Sequence, residues 1–445
     1  MRDETIAIHG GYVPDSTNAV AVPIYQTVAH EFSDAAHAAA VFDMDIPGYH
    51  YNRLNNPTNE VLERRLAALE RGVGALTLSS GTAAVLYAIQ NLAETGDNIV
   101  SAPQLYGTTY TLFVHVLPRQ GIEVRLAADD SPEAIARLID DRTKAIFCES
   151  IGNPAGNVVD IGAVAAVAQR HRIPFIVDNT VATPLLLKPI EHGADIVVHS
   201  LTKFIGGHGT TLGGGIVDGG KFPWAEHPDR FPMFSRPEPA FHGVVYPERF
   251  GEAAYIVRCR TVVLRNMGAT LSPFSAFMIL QGLETMAARL DHHEGNARAV
   301  AAYLRQDPRV AWVNFAGFTD NPHYELAERY LRGRCSSLLT FGVVGGYEAG
   351  LRFFNAVKLF KRLVNLGDAK SLVSHPASTT HRQLTGEDLR VVGVTPDMIR
   401  LSVGIEHIDD LIEHLDQALS CASGEELAPA GTEDARGSAG SRERA

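Results

Sequence analysis

The chain has 445 residues, 45% of them hydrophobic, which is enough to bury two or three cores rather than one. Its formal net charge of −12 lacks the basic footprint of a nucleic-acid binder, and no apolar run is long enough to span a bilayer. The opening MRDETIAIHGGY has no apolar h-region and the four cysteines (Cys148, Cys259, Cys335, Cys421) have no CxxC spacing, so a reducing cytoplasm is expected instead of a disulfide framework or a zinc knuckle.

Residues 1–57 read as an N-terminal arm. Within it, HYNRLNNPTNE carries Tyr51 and Arg53 in an irregular segment, where a phenol and a guanidinium either reach a phosphate or form a surface arm. Residues 58–285 read as a large domain. From Gly74 to Val217 short apolar runs (ALTLSS, NIVSA, KAIFCES, PFIVDN, DIVVHS) alternate with helical patterns, the rhythm of βαβ units and a parallel sheet. Ser131-Pro132 gives one helix start, with a capping hydroxyl and a proline fitted to the first turn.

Three points in this domain carry chemistry. Ser79-Ser80-Gly81-Thr82 closes a strand and opens the helix AAVLYAIQ, and the N–H groups at such a start suit a phosphate, although most junctions of this kind are only turns. Tyr106 begins a helix after SAPQ and is placed to lay its ring on a ligand, core packing being the ordinary role. FIVDNT delivers Asp178, and IVVHSLTKFIGGH delivers Ser200, Thr202 and Lys203, each at the carboxyl end of an apolar strand. A buried carboxylate needs a donor or a cation, the bland choices being an arginine or a helix terminus. Lysines are rarely buried, so Lys203 alone would read as a surface residue. The glycines after it (Gly206, Gly207, Gly209, Gly213–Gly215) permit close backbone approach to a ligand, and neither GxxxxGK[ST] nor GxGxxG occurs there. A buried lysine and aspartate that do not neutralise each other suggest a cofactor between them: the lysine binding an aldehyde covalently, the aspartate pairing with a protonated ring nitrogen. That is the division of labour in pyridoxal phosphate enzymes.

An irregular insertion rich in proline and aromatics covers 218–250 and is expected to be ordered by its own ring contacts. A long helical pattern follows over 275–304. Residues 286–421 read as a smaller α+β C-terminal domain: strand-like RVAWVNF, SSLLTFGVV and MIRLSVG, a helix near 347–363 and a closing amphipathic helix IDDLIEHLDQAL. Arg400 sits in MIRLSVGIE on an otherwise apolar strand, so it either forks an amino acid's α-carboxylate or closes an internal salt bridge. SHPASTTHRQL (374–384) offers hydroxyl and imidazole groups to the same pocket. The small, polar stretch 422–445 is expected to be disordered. Neither HxxxH nor HExxH occurs among the eighteen histidines, so no metal site is expected.

Together YNRLNNPT, LSSGTAA, LYGTTY, ESIGNP, VDNT, HSLTKFIGGHG, SHPASTTH and RLSVGIE resemble the cysteine/methionine metabolism family of pyridoxal phosphate enzymes, over Thr5 to Leu419. The resemblance implies an α/β architecture of the aminotransferase-like fold type I, with a mostly parallel central sheet, and a homotetramer, a dimer of dimers with shared active sites. It implies that Lys203 binds pyridoxal 5'-phosphate and carries protons with Tyr106, that Asp178 holds the ring nitrogen and that Tyr106 stacks on the ring. Gly81, Thr82, Ser200 and Thr202 would hold the phosphate. Tyr51 and Arg53 would be lent to the neighbouring subunit's phosphate site, Tyr51 also facing substrate, and Arg400 with Asn153 would hold the substrate carboxylate. The implied reaction is γ-replacement on O-acetyl-L-homoserine by sulfide or methanethiol, releasing acetate. Open alternatives are γ-elimination, a cystathionine γ-synthase-type reaction, a succinyl ester in place of acetyl, and a non-catalytic carrier. Methionine γ-lyases of the family carry cysteine in the LYGxT motif where Thr108 stands, which weighs against elimination.

Overall fold

The computed structural model describes residues 1–379, 382, 389 and 393–424. The stretch 425–445, where disorder was expected, lies outside the described residues, as does most of 380–392. The closing helix Ile408–Ser423 runs two residues past Cys421, into the segment expected to be tail.

A seven-stranded sheet organises the large domain: β1 (Gly74–Leu78), β2 (Asn98–Ser101), β3 (Glu123–Leu126), β4 (Thr143–Glu149), β5 (Phe175–Asp178), β6 (Ile196–Ser200) and β7 (Gly214–Asp218), in the order β1-β7-β6-β5-β4-β2-β3. Strands β2 to β6 pair in parallel. Their runs are apolar throughout because both faces are covered. Alternation sends Ile176, Ile196, Val198 and Ile216 to one face, against Val85 and Ile89 of the helix Gly81–Gln90. Val177, Val197 and Val217 go to the other, against Leu62, Leu66, Val164, Val167, Ile279 and Leu283 of three further helices. The sheet is mostly parallel, as expected; the exception is β7, which runs antiparallel to both β1 and β6. The glycine-rich link from Leu201 to Gly213 contains no crossover helix, and a strand that returns without one comes back antiparallel. Strand β3 was not foreseen: it is a half-exposed edge strand whose EVRL lacks an apolar run.

The aromatic insertion folds on itself as expected. The Trp224 ring stacks on Phe234 at 4.3 Å between centroids and on Tyr255 at 5.6 Å, with Phe231 edge-on at 5.3 Å. The helical pattern 275–304 is two helices, Pro273–Glu284 and Met286–Gln306, broken at Thr285 (φ −102°, ψ 2°). Arg289 stabilises the break, because its Nη2 donates to the carbonyl of Gly282 at 2.7 Å, and at 3.3 Å to that of Ile205 in the loop after Lys203.

The second sheet contains β8 (Val310–Asn314), β9 (Leu338–Val343), β10 (Lys361–Arg362), β11 (Leu372–Ser374) and β12 (Met398–Ser402), in the order β10-β11-β12-β9-β8. The helix expected over 347–363 is Gly346–Ala356; Val357 turns extended and the chain crosses to β10. Ile399 and Leu401 pack into the small domain's core with Phe341, Phe353, Leu411 and Leu415. The period of two therefore turns Arg400 away from that core. Among the described residues no helix is long and apolar enough to cross a membrane.

Candidate active site

The carboxyl ends of β4, β5 and β6 open into a cavity of about 160 Å³. Its lining includes Gly81, Thr82, Tyr106, Asn153, Asp178, Ser200, Thr202, Lys203 and Arg400. All nine were singled out from the sequence, and the chain brings them together.

Lys203 follows β6, and its Nζ donates to Asn365 Oδ1 at 2.5 Å. Burial, and then the charge of Arg400, lower its pKa to about 8. Removing an ammonium from water disfavours the charged form and a second cation adds to the effect, so the group is poised as a nucleophilic amine. Asp178 ends β5, where its Oδ1 accepts the Thr180 N–H at 3.0 Å. Burial raises its pKa, and among the described residues no cation pairs with it. Its cross-strand neighbour is a buried carboxylate, Glu149, held well above the usual carboxylate range by burial and by Asp178.

Arg400 shows the complementary deficit. Nη1 donates to Asn153 Oδ1 at 2.9 Å and Nη2 to the Asn365 carbonyl at 2.8 Å, while Nε is buried without a partner. Burial lowers its pKa to about 10, which leaves it cationic at neutral pH. Among the described residues it makes no ion pair, so the internal salt bridge left open by the sequence is absent. A buried cation without an anion and a half-buried carboxylate without a cation, in one cavity, are costly unless ligands complete them. An amino acid's carboxylate answers the first deficit and a protonated ring nitrogen the second.

The opposite wall is backbone. Ser80 caps the helix Gly81–Gln90, its Oγ accepting from Ala83 N at 3.1 Å. A Cβ on Gly81 would lie 2.6 Å from Ser200 Cβ, and one on Gly214 would lie 2.0 Å from the Ser80 carbonyl oxygen, so both glycines are fixed by close approach. The helix start with the nearby Ser200 hydroxyl fits a phosphate. The Thr202 Oγ1 accepts from Gly213 N at 3.0 Å and so also braces the loop behind Lys203.

Tyr51 and Arg53 are not in this cavity. They line a separate one of about 1170 Å³, with the Arg53 guanidinium 5.0 Å from the Tyr51 ring centroid and Tyr51 41% exposed. Glu149 and Asn365, which sequence reasoning did not single out, do line the Lys203 cavity. Glu149 ends the apolar run KAIFCES just as Asp178 ends its own, a signal that was present; Asn365 lies in an irregular link with no such pattern. Among the described residues no group of three His, Cys, Asp or Glu side chains is placed to hold a metal ion.

A family model described as Cys/Met metabolism PLP-dependent enzyme matches residues 4–420. A homocysteine synthase of Schizosaccharomyces pombe is 49% identical over 94% of this chain and 98% of its own length. An O-acetyl-L-homoserine sulfhydrylase of Leptospira meyeri is 45% identical over 94% and 97%. The crystal structure of a putative O-acetylhomoserine (thiol)-lyase from Campylobacter jejuni superposes with a TM-score of 0.92 at 42% identity, covering 94% of this chain and 100% of that one. It contains N'-pyridoxyl-lysine-5'-monophosphate.

Proposed function

Since the chain belongs to the Cys/Met metabolism family of PLP-dependent enzymes, we propose that it replaces the acetate of O-acetyl-L-homoserine with sulfide, giving L-homocysteine, or with methanethiol, giving L-methionine. The observation that carries the proposal is the paired deficit in one cavity, Arg400 without an anion and Asp178 without a cation, together with a lysine whose pKa is lowered to about 8. The printed names of relatives at 45–49% identity support the acetyl ester as substrate.

Pyridoxal 5'-phosphate supplies an electron sink for negative charge at the carbons beside the substrate nitrogen. In this reading Gly81, Thr82, Ser200 and Thr202 hold its phosphate, Asp178 keeps its ring nitrogen protonated, Tyr106 lies on its ring and Lys203 binds it covalently. Arg400 and Asn153 fix the substrate carboxylate, which orients the Cα–H bond towards Lys203. Once displaced by the substrate amine, Lys203 takes the Cα proton at Nζ, gives that proton up towards the electron sink, and only then, as a free amine again with Tyr106 beside it, takes a Cβ proton. The Cγ–O bond breaks with loss of acetate, a Cγ–S bond forms, and Lys203 gives its proton back to Cβ and then, free again, carries the other back to Cα.

Tyr51 and Arg53 lie outside their own chain's Lys203 cavity, with Tyr51 exposed, which supports their service in the site of a second copy; the assembly proposed is a homotetramer, and its compartment the cytoplasm. A solution mass equal to one chain would contradict that assembly. Product analysis tests the reaction itself. With O-acetyl-L-homoserine and saturating sulfide, homocysteine and acetate are expected to form in equal amounts. If 2-oxobutyrate and ammonia dominate under those conditions, the chain is a γ-eliminating enzyme instead.

A further inference from the structure

Glu149 is a buried carboxylate with no cation among the described residues, and the reaction outlined above assigns it nothing. Both of its oxygens are engaged, each by a different segment. Oε1 accepts the Tyr106 N–H at 2.6 Å and Oε2 accepts the Asn153 N–H at 3.2 Å. Tyr106 opens the helix Gly107–Thr111. Asn153 reaches across to the small domain, where its Oδ1 takes Nη1 of Arg400. One side chain thus ties down two walls of the cavity.

We infer that Glu149 is a positioning residue, holding the Tyr106 ring and the Asn153–Arg400 pair in a single arrangement. The inference rests on the reading of Tyr106 and Arg400 given above. Chemistry explains why a carboxylate stands here despite the cost of burying it beside Asp178. The two N–H groups converge from separate segments, and each needs an acceptor. A carboxylate offers one on each oxygen, whereas an amide offers one oxygen and turns an NH₂ against the other N–H. Glutamine is close to isosteric but satisfies only half of the clamp, leaving a buried donor unmet.

The test is Glu149→Gln, purified as holoenzyme. Expected are a KM for O-acetyl-L-homoserine raised about tenfold or more, and a changed visible circular dichroism of the bound cofactor, which reports how Tyr106 and the ring lie together. A purely structural Glu149 would lower the melting temperature while leaving KM and the visible dichroism at parent values, and that result overturns the inference. Hydrogen exchange of the parent enzyme decides the matter even if the variant does not fold. The Tyr106 and Asn153 amides, both outside helices and strands, are expected to be protected, and exchange as fast as that of exposed loop amides contradicts the clamp. Borohydride trapping of the parent separates the two levels. Without cofactor on Lys203 the reading of the site falls; with it there and Glu149→Gln unchanged in KM and dichroism, only the role of Glu149 falls.

Discussion

Lys203→Ala is expected to lower turnover at least about a thousandfold, because it removes both the covalent attachment and the base, and general acid–base groups alone contribute roughly 10²–10⁴. The phosphate contacts of the Gly81 helix start and Ser200 remain, so the variant should still bind some cofactor. Steady-state homocysteine formation measures the effect, and turnover within tenfold of the parent would remove Lys203 from the assigned role. The parent enzyme stripped of cofactor offers a pH arm. Only the neutral amine attacks an aldehyde, and burial with Arg400 brings the Lys203 pKa down from 10.5 to about 8. The rate of cofactor capture should therefore rise by about tenfold per pH unit below that value and level off above it. An unperturbed lysine would still be accelerating well past that point.

Asp178→Asn is expected to cost about 10²–10³ in kcat, the scale for deleting one preorganised electrostatic group in a buried site. The neutral amide keeps the shape and can still accept the Thr180 N–H, but it no longer favours a proton on the ring nitrogen. Covalent attachment to Lys203 should survive, since the amine lies on the next strand over, beyond the end of β6. Loss of rate with retained cofactor thus distinguishes this role from simple damage to the pocket. An Asp178→Asn enzyme that turns over at the parent rate would mean that Glu149 or another group supplies the charge.

Asp178 was legible in the sequence because it terminates a continuous apolar run, which marks the carboxyl edge of a buried strand, and Lys203 because it follows such a strand in a cluster of hydroxyls and glycines. Arg400 was legible as a charge inside an apolar strand, but not whether an acid answered it; only folding shows that its partners are the amide of Asn153 and the carbonyl of Asn365. Asn365 had no local signal, since its contact with Lys203 spans 162 residues of sequence. The strand Gly214–Asp218 was not singled out, and its direction was not legible because apolar runs do not encode polarity; the missing crossover helix decided it. The single helical pattern over 275–304 concealed the break at Thr285, which depends on Arg289 reaching the carbonyl of Gly282.

Everything proposed for the reaction passes through one bond between the protein and its cofactor. Reduction of the purified holoenzyme with borohydride, followed by proteolysis and peptide mass mapping, is expected to place a stable pyridoxyl phosphate group on Lys203. Recovery of that peptide unmodified, or the label on another lysine, would contradict the account.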